Sequence, residues 1–367
     1  MKRTPLYDAH RAAGAKLVDF AGWEMPVHYS GVVDEYQAVR GQAGLFDVSH
    51  MGRIGVTGPD SSAFLQRLTT NDVSKLAIGQ SQYSIVCNEQ GGIKDDVFVY
   101  AVAPEEFLVC VNASNREKIV TWMHDHLLPS ETCRVTDRSE ELAQLALQGP
   151  SSREILSALE VDGLSDLKPR RLLRTKLDGD TVLITRTGYT GELGYELYHA
   201  AQSAQHLWDR LMEAGRSKGL KPAGLGARDL LRLDMAYLLY GNDIDEETTP
   251  LEASVEWVVQ LKKNHFIGQA ALLRQQAAGP GRRLVAFELL EKAVPRHGCP
   301  ILGPQAGARP VGTVTSGNFS PLLKKGIGLG YVPPTSMAPG TSLSIDIRGK
   351  VVPAAVVQPP FYKKPKS

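Results

Sequence analysis

Apolar and polar positions alternate with a period that changes irregularly along the chain. Regular βαβ winding would switch between helical and strand-like periods at steady intervals, and no such rhythm is present. Thr4-Pro5 reads as an N-cap followed by a first helical residue, with Gly14 closing that helix. Residues 31–43 carry a second helical pattern that ends at Gly44. Residues 81–88 and 93–100 are β-prone runs on either side of Glu89-Gln90-Gly91-Gly92, which predicts a hairpin. Residues 115–128 read as a helix with Asn115 as its cap. A second unit is expected from about residue 140, with strands at 142–147, 180–187 and 194–199 and helices at 203–218 and 226–236. The stretch Ala277-Ala278-Gly279-Pro280-Gly281 is punctuated as a linker. Beyond it, residues 284–358 are short strands with frequent Gly and Pro, a small β-rich domain.

Composition narrows the class. At 367 residues the chain is long enough for two or three units of roughly 150 residues each. Lys and Arg number 41 against 40 Asp and Glu, so no whole-chain field favours nucleic acid or an anionic membrane. Cys87, Cys110, Cys133 and Cys299 are scattered without a C-x-x-C, which points to neither a disulfide framework nor a zinc ribbon. No run approaches the ~20 apolar residues of a membrane span. The start Met1-Lys2-Arg3 is basic but no apolar segment follows, so no export signal is expected and a reducing cytoplasm is the default. The run Lys363-Lys364-Pro365-Lys366 reads as a solvated end.

Several chemistries lack their motifs. There is no P-loop and no G-x-S-x-G elbow. Gly326-Ile327-Gly328-Leu329-Gly330 has the wrong spacing for a dinucleotide fingerprint and lies in strand-like sequence. The acidic run Asp243-Ile244-Asp245-Glu246-Glu247 lacks the glycine a calcium loop needs. His124 and His126 lie on different faces of their helix, and His50 stands alone and reads as a satisfied structural histidine.

Three constellations remain. Asp95 and Asp96 are neighbours on a strand and therefore face opposite sides: Asp96 with Phe98 and Tyr100, Asp95 with Val97 and Val99. On spacing alone they either solvate a hairpin end or place one carboxylate on an aromatic face, where it would stabilise a developing cation. In Gly188-Tyr189-Thr190-Gly191-Glu192-Leu193-Gly194-Tyr195-Glu196, three glycines form a tight turn between strands. That turn is either a plain hairpin connection or a site where Tyr189 and Glu196 take a flat amidine-like heterocycle, by stacking and by paired N–H donors. In Gly224-Leu225-Gly226-Ala227-Arg228-Asp229, a Gly-rich lead into a helix leaves N–H groups available to an anion. Arg228 and Arg232 there are a like-charge pair that Asp229 and Asp234 could neutralise.

In order and with their flanks, these segments resemble the glycine cleavage system aminomethyltransferase (T-protein) family. The likeness extends from Thr4-Pro5-Leu6-Tyr7 to Pro360-Phe361-Tyr362. It is carried by Phe20-Ala21-Gly22-Trp23, Asp47-Val48-Ser49-His50-Met51, Gly91-Gly92-Ile93-Lys94-Asp95-Asp96, Gln148-Gly149-Pro150, the Gly188 and Gly224 segments, Tyr240-Gly241-Asn242-Asp243 and Thr315-Ser316-Gly317-Asn318. The resemblance implies an α+β protein of three lobes around a central channel. Residues 1–278 would form the folate-binding region, divided near 140, and residues 284–362 the β-rich C-terminal domain. It implies transfer of the one-carbon unit of an aminomethyl group, carried on the lipoylated glycine cleavage H-protein, to the co-substrate tetrahydrofolate. The products would be ammonia, 5,10-methylenetetrahydrofolate and the dihydrolipoyl carrier, with no metal. The family's catalytic carboxylate falls on Asp96, its pterin-reading carboxylate on Glu196 and its motif arginine on Arg228. Folate-lining positions fall on Met51, Tyr83, Tyr100, Asn112, Tyr189 and Tyr237. Lys94 departs from the apolar residue expected before the Asp pair, and by parity with Asp96 it would alter that group's charge if it pointed the same way. A related folate-dependent demethylase shares the fold. A non-catalytic folate module would carry a cysteine in the turn at 187–192, which is absent here.

Overall fold

The six-stranded sheet at the centre of the first unit owes its place to strands buried on both faces. Ala43–Asp47 is buried throughout, and Leu142–Gln148 in all but its first residue. The sheet order is Leu172–Leu177, Asp180–Thr185, Gly194–Ala200, Leu142–Gln148, Ala43–Asp47 and Leu220–Pro222. All pairings are antiparallel except the last, which is parallel. Helix Ala204–Gly215 lays Ala204, Leu207, Trp208 and Leu211 on this sheet against Leu145, Leu197 and Ile184. That spacing is one stripe of a helix, as the sequence pattern indicates. The sheet draws one strand from ahead of residue 140, so sequence order and sheet order part company there.

The computed structural model describes residues 1–303 and 309–364, and the last residues of the terminal lysine run lie outside that range. Two units form: Met1–Ser84 with Asp95–Asp229, and Ile85–Lys94 with Leu230–Ser367. A second sheet has the order Ser81–Cys87, Ile93–Ala103, Glu106–Val111, Gly52–Thr57 and Arg134–Asp137.

Within the second unit the predicted β-rich region is a closed six-stranded barrel. Its strands run Arg283–Leu289, Lys325–Val332, Pro310–Ser320, Pro300–Leu302, Ser342–Ile347 and Lys350–Val357, and the last pairs back onto the first. Phe287, Ile301, Val314, Ile345 and Val352 fill its interior. The Gly326–Gly330 run is strand, as its sequence suggests, and its glycines answer to packing. A Cβ on Gly328 would stand 2.5 Å from the Phe287 ring, and one on Gly326 would stand 2.4 Å from the Ala293 carbonyl oxygen.

The hairpin tip joins the second unit by close backbone approach. A Cβ on Gly92 would fall 1.8 Å from the carbonyl oxygen of Glu246, which no side chain can occupy. Ile93 N–H donates to the carbonyls of Asp245 and Thr248. The acidic run that follows is a clasp. Asp243 accepts from Arg232 Nη1 (2.8 Å), Thr315 Oγ1 (2.5 Å), Ser316 Oγ (2.9 Å) and Leu239 N (2.9 Å). Arg232 also donates to Ser316 Oγ and to the Tyr237 carbonyl. Arg232 thus pairs with buried Asp243 at 2.8 Å, and the Asp234 carboxylate accepts from Ser320 Oγ at 2.8 Å.

Two expected capping side chains make no capping bond, for the same reason. The first helix is Tyr7–Ala12, and the Thr4 hydroxyl donates 2.6 Å to buried Asp47 rather than capping. Asn115 stands at the N-cap of Arg116–Asp125 but makes no capping bond, because its carboxamide donates to Asp95. The second helix is Val32–Gly41, and the apolar run after it is the buried strand Ala43–Asp47.

Candidate active site

Strand alternation separates the two carboxylates of the first unit as parity requires. Asp95 is fully buried; Asp96 is half-buried and shares its face with Phe98 and Tyr100. That face is aromatic: Tyr83 and Phe98 have ring centroids 5.6 Å apart, Phe98 and Tyr100 stack at 6.0 Å, and Tyr198 meets Tyr100 edge-on at 5.6 Å. The Tyr83 hydroxyl donates to Asp96 Oδ2 at 3.0 Å, and Asn112 Nδ2 donates to Asp96 Oδ1 at 2.7 Å. Burial, reinforced by the Asp96 charge, pushes the Tyr83 phenol well above its ordinary range, so it remains a donor. Burial and then the neighbouring Asp96 charge likewise push Asp95 upward, against hydrogen bonds from Asn112 and Asn115. Asp96 is thus the carboxylate of the pair that faces accessible space.

Glu196, on the neighbouring sheet, accepts from Thr187 Oγ1 (2.5 Å), from Gln144 Nε2 (3.4 Å) and, at the limit, from Tyr100 OH (3.5 Å). Tyr198 OH donates to Tyr100 OH at 3.1 Å, so Tyr100 belongs both to the aromatic face and to the Glu196 network. Met51 packs on the cluster of Tyr100, Leu108, Cys110 and Tyr198.

The Gly188–Gly194 turn is built around Gln148. Thr190 Oγ1 donates to Gln148 Oε1 at 2.9 Å, and Gln148 Nε2 donates to the Thr187 carbonyl at 3.3 Å. A Cβ at Gly188 or Gly194 would come within 2.0 or 2.3 Å of that amide. Half-buried Arg40 braces the turn through the Thr190 carbonyl (2.6 Å) and Glu192 (3.0 Å). At its tip, the Arg228 guanidinium lies 4.7 Å from the centre of the Tyr189 ring, a cation–π contact. Arg40 and Gln148 lie far from the turn in sequence, which is why no local pattern marks their role.

The Gly224 amide is taken up internally. Gly224 N–H donates 2.9 Å to Glu35, a buried carboxylate that also accepts from the Ser30 and Gly31 amides. The glycine is required by approach: a Cβ there would lie 2.6 Å from the Val27 carbonyl. The Lys94 ammonium pairs with Glu246 at 3.0 Å. Tyr237 lies in the second unit, 38% exposed, with its carbonyl held by Arg232.

His50, expected to be a satisfied structural histidine, is buried against Phe20, and its Nδ1 has no partner. Burial depresses its pKa to about 3; Asp47 opposes this, and the Arg228 and Arg53 charges add to it. The unfolded chain then binds a proton, near pKa 6.5, that the folded chain refuses. The stability this histidine contributes is complete above pH ~6.5 and is lost as pH falls toward 3, at up to ~1.4 kcal/mol per pH unit. Thermal unfolding followed between pH 7 and 4 is expected to show a shallower acid decline for His50→Phe than for the parent. Parallel declines would show that this ring does not titrate in that window.

The segment covering residues 6–263 matches the family model described as the GCVT N-terminal domain, and residues 282–363 match the glycine cleavage T-protein C-terminal barrel domain. A protein named aminomethyltransferase from Halothermothrix orenii is 48% identical over 361 residues, covering 98% of this chain and 100% of the relative. One of the same name from Rubrobacter xylanophilus is 48% identical over 368 residues, covering 100% and 96%. The crystal structure of glycine cleavage system aminomethyltransferase T from Bartonella henselae superposes with a TM-score of 0.92 at 36% identity, over 98% of both chains.

Proposed function

Because this chain belongs to the glycine cleavage T-protein family of aminomethyltransferases, we infer that the Asp96 face of its first unit is where the one-carbon unit changes hands. The protein is a tetrahydrofolate-dependent aminomethyltransferase of the glycine cleavage system. The reaction starts from an aminomethyl group on the sulfur of a lipoyl arm, which we assign to the lipoylated H-protein. The C–S and C–N bonds of that carbon break and two new C–N bonds form to the folate. Ammonia and a dithiol are released, and the carbon keeps its oxidation level, so no electrons need to be supplied. A cytoplasmic setting fits the bacterial relatives.

The residues present suit a reduced pterin. Tyr83, Phe98 and Tyr100 supply a flat apolar wall, Glu196 supplies acceptor oxygens for paired N–H donors, and Tyr189 is held by Arg228. Met51 and Asn112 complete the proposed lining within the first unit. Asp96 is the group that acts on the chemistry. Its negative charge, fixed by Tyr83 and Asn112, stabilises positive charge on the transferred carbon as nitrogen departs and can accept the proton from the attacking amine. Aligning two bound reactants contributes further, since proximity is worth about 7–11 kcal/mol.

The observation that carries this reading is one half-buried carboxylate held by two neutral donors on an aromatic face. Its direct test follows ammonia release from lipoylated, aminomethylated carrier with and without tetrahydrofolate; release that ignores the folate would refute it. For Glu196→Ala, titration calorimetry is expected to show folate affinity weakened by about 1.5–3 kcal/mol, the scale of a hydrogen bond to a charged group. Unchanged affinity would remove Glu196 from pterin recognition.

A further inference from the structure

Asp95 takes no direct part in the reaction described, yet its buried carboxylate accepts three hydrogen bonds. Asn112 grips it twice, through its backbone N–H to Oδ2 at 3.0 Å and through Nδ2 to Oδ1 at 2.8 Å. Asn115 Nδ2 adds a third donor to Oδ1 at 2.6 Å. The two bonds from Asn112 close a ring that fixes both the rotamer of that side chain and which end of the amide faces the carboxylates. The same Nδ2 is the atom that donates to Asp96 Oδ1 at 2.7 Å and to the Asp96 carbonyl at 3.2 Å. One amide nitrogen with two hydrogens therefore bridges both acids.

We propose that Asp95 is a positioning residue, which orients the Asn112 carboxamide so that it holds Asp96 in the one rotamer that serves the transferred carbon. This rests on the assignment of Asp96 above. The arrangement explains why a fully buried acid sits at a strand position whose neighbours Val97 and Val99 are apolar. It also explains why Asn115 leaves its capping role: its carboxamide braces Asp95 from the far side. Burial and the adjacent Asp96 charge both disfavour ionisation of Asp95, and the hydrogen bonds from Asn112 and Asn115 oppose that shift.

Asp95→Asn keeps the volume but places an NH2 group in the cluster, where Asn112 needs an acceptor for its amide. Steady-state turnover is expected to fall at least tenfold, with folate affinity by calorimetry within twofold of the parent. Asn112→Ala should lower turnover comparably, and the double variant should lose no more than the worse single one, because the two act through one chain of contacts. Turnover of folded Asp95→Asn within twofold of the parent, or losses that multiply in the double variant, would overturn the proposal. Should Asp95→Asn not fold, Asn115→Ala decides instead: a few-fold loss of turnover at unchanged folate affinity supports it, and no loss overturns it. Asp96→Asn, run alongside, separates the failures. If Asp96→Asn is inactive and the Asp95 variant is not impaired, only the positioning role fails; if Asp96→Asn is active, the reading beneath it fails too.

Discussion

Replacing Asp96 by Asn is expected to lower turnover by about 10²–10⁴ while leaving folate affinity near that of the parent. The substitution preserves size and leaves an oxygen to accept from Tyr83 or Asn112, so packing on the aromatic face changes little. What disappears is the negative charge. A positive charge building on carbon as ammonia leaves would then face a neutral amide, and the lost stabilisation corresponds to roughly 3–5 kcal/mol of barrier. Folate affinity is retained because the groups proposed to read the pterin, Glu196 and the aromatic wall, are untouched. Single-turnover kinetics with aminomethylated carrier, paired with calorimetric titration of folate, tests both halves. An active variant would exclude Asp96, and an inactive one that no longer binds folate would make it a binding residue.

The second large effect is on stability. Arg232→Met is expected to destabilise the second unit by about 3–5 kcal/mol, because it strands a carboxylate that is itself inaccessible to solvent. Asp243 would keep only Thr315, Ser316 and the Leu239 amide as donors. Exposure decides the magnitude: the Arg232 side chain is 2% accessible and that of Asp243 0%, so water cannot replace the missing guanidinium. The surface pair Lys2–Glu117, at 2.8 Å but 55% and 82% exposed, would lose almost nothing on the same treatment. Differential scanning calorimetry should place the Arg232→Met transition lower by on the order of 10 °C. The double variant Arg232→Met with Asp243→Asn should recover part of the loss, since the uncompensated charge is then gone. A single variant melting within 2 °C of the parent would show that the pair is not what secures this region.

The elements that sequence pattern reveals here are those whose own periodicity specifies them. The stripe Ala204, Leu207, Trp208, Leu211 and the two runs flanking Gly91-Gly92 need no knowledge of the rest of the chain. The same holds for the parity that puts Asp96 on the side of Phe98 and Tyr100. What escapes is the choice a short polar side chain makes between a local and a distant partner. Thr4 and Asn115 have the chemistry of N-caps, and both spend it on buried aspartates instead, Asp47 and Asp95. Arg232 has carboxylates close by in sequence, yet it also reaches a buried one eleven residues on, which no local pattern marks. The Gly188 turn shows the same limit. Glycine signalled a turn, but the reason for it is the amide of Gln148, forty residues earlier, lying where a Cβ would be.

The chain passes from one unit to the other at residues 84–85, 94–95 and 229–230. A gene fragment ending at 229 would make the loop at 85–94 without the segments around Asp245 and Leu272 that receive it, and a fragment starting at 230 would lack that loop altogether. Recombination therefore has no single point at which to exchange one half for a foreign counterpart. Those ten residues interleave the two units, so neither can be inherited as an uninterrupted piece of sequence.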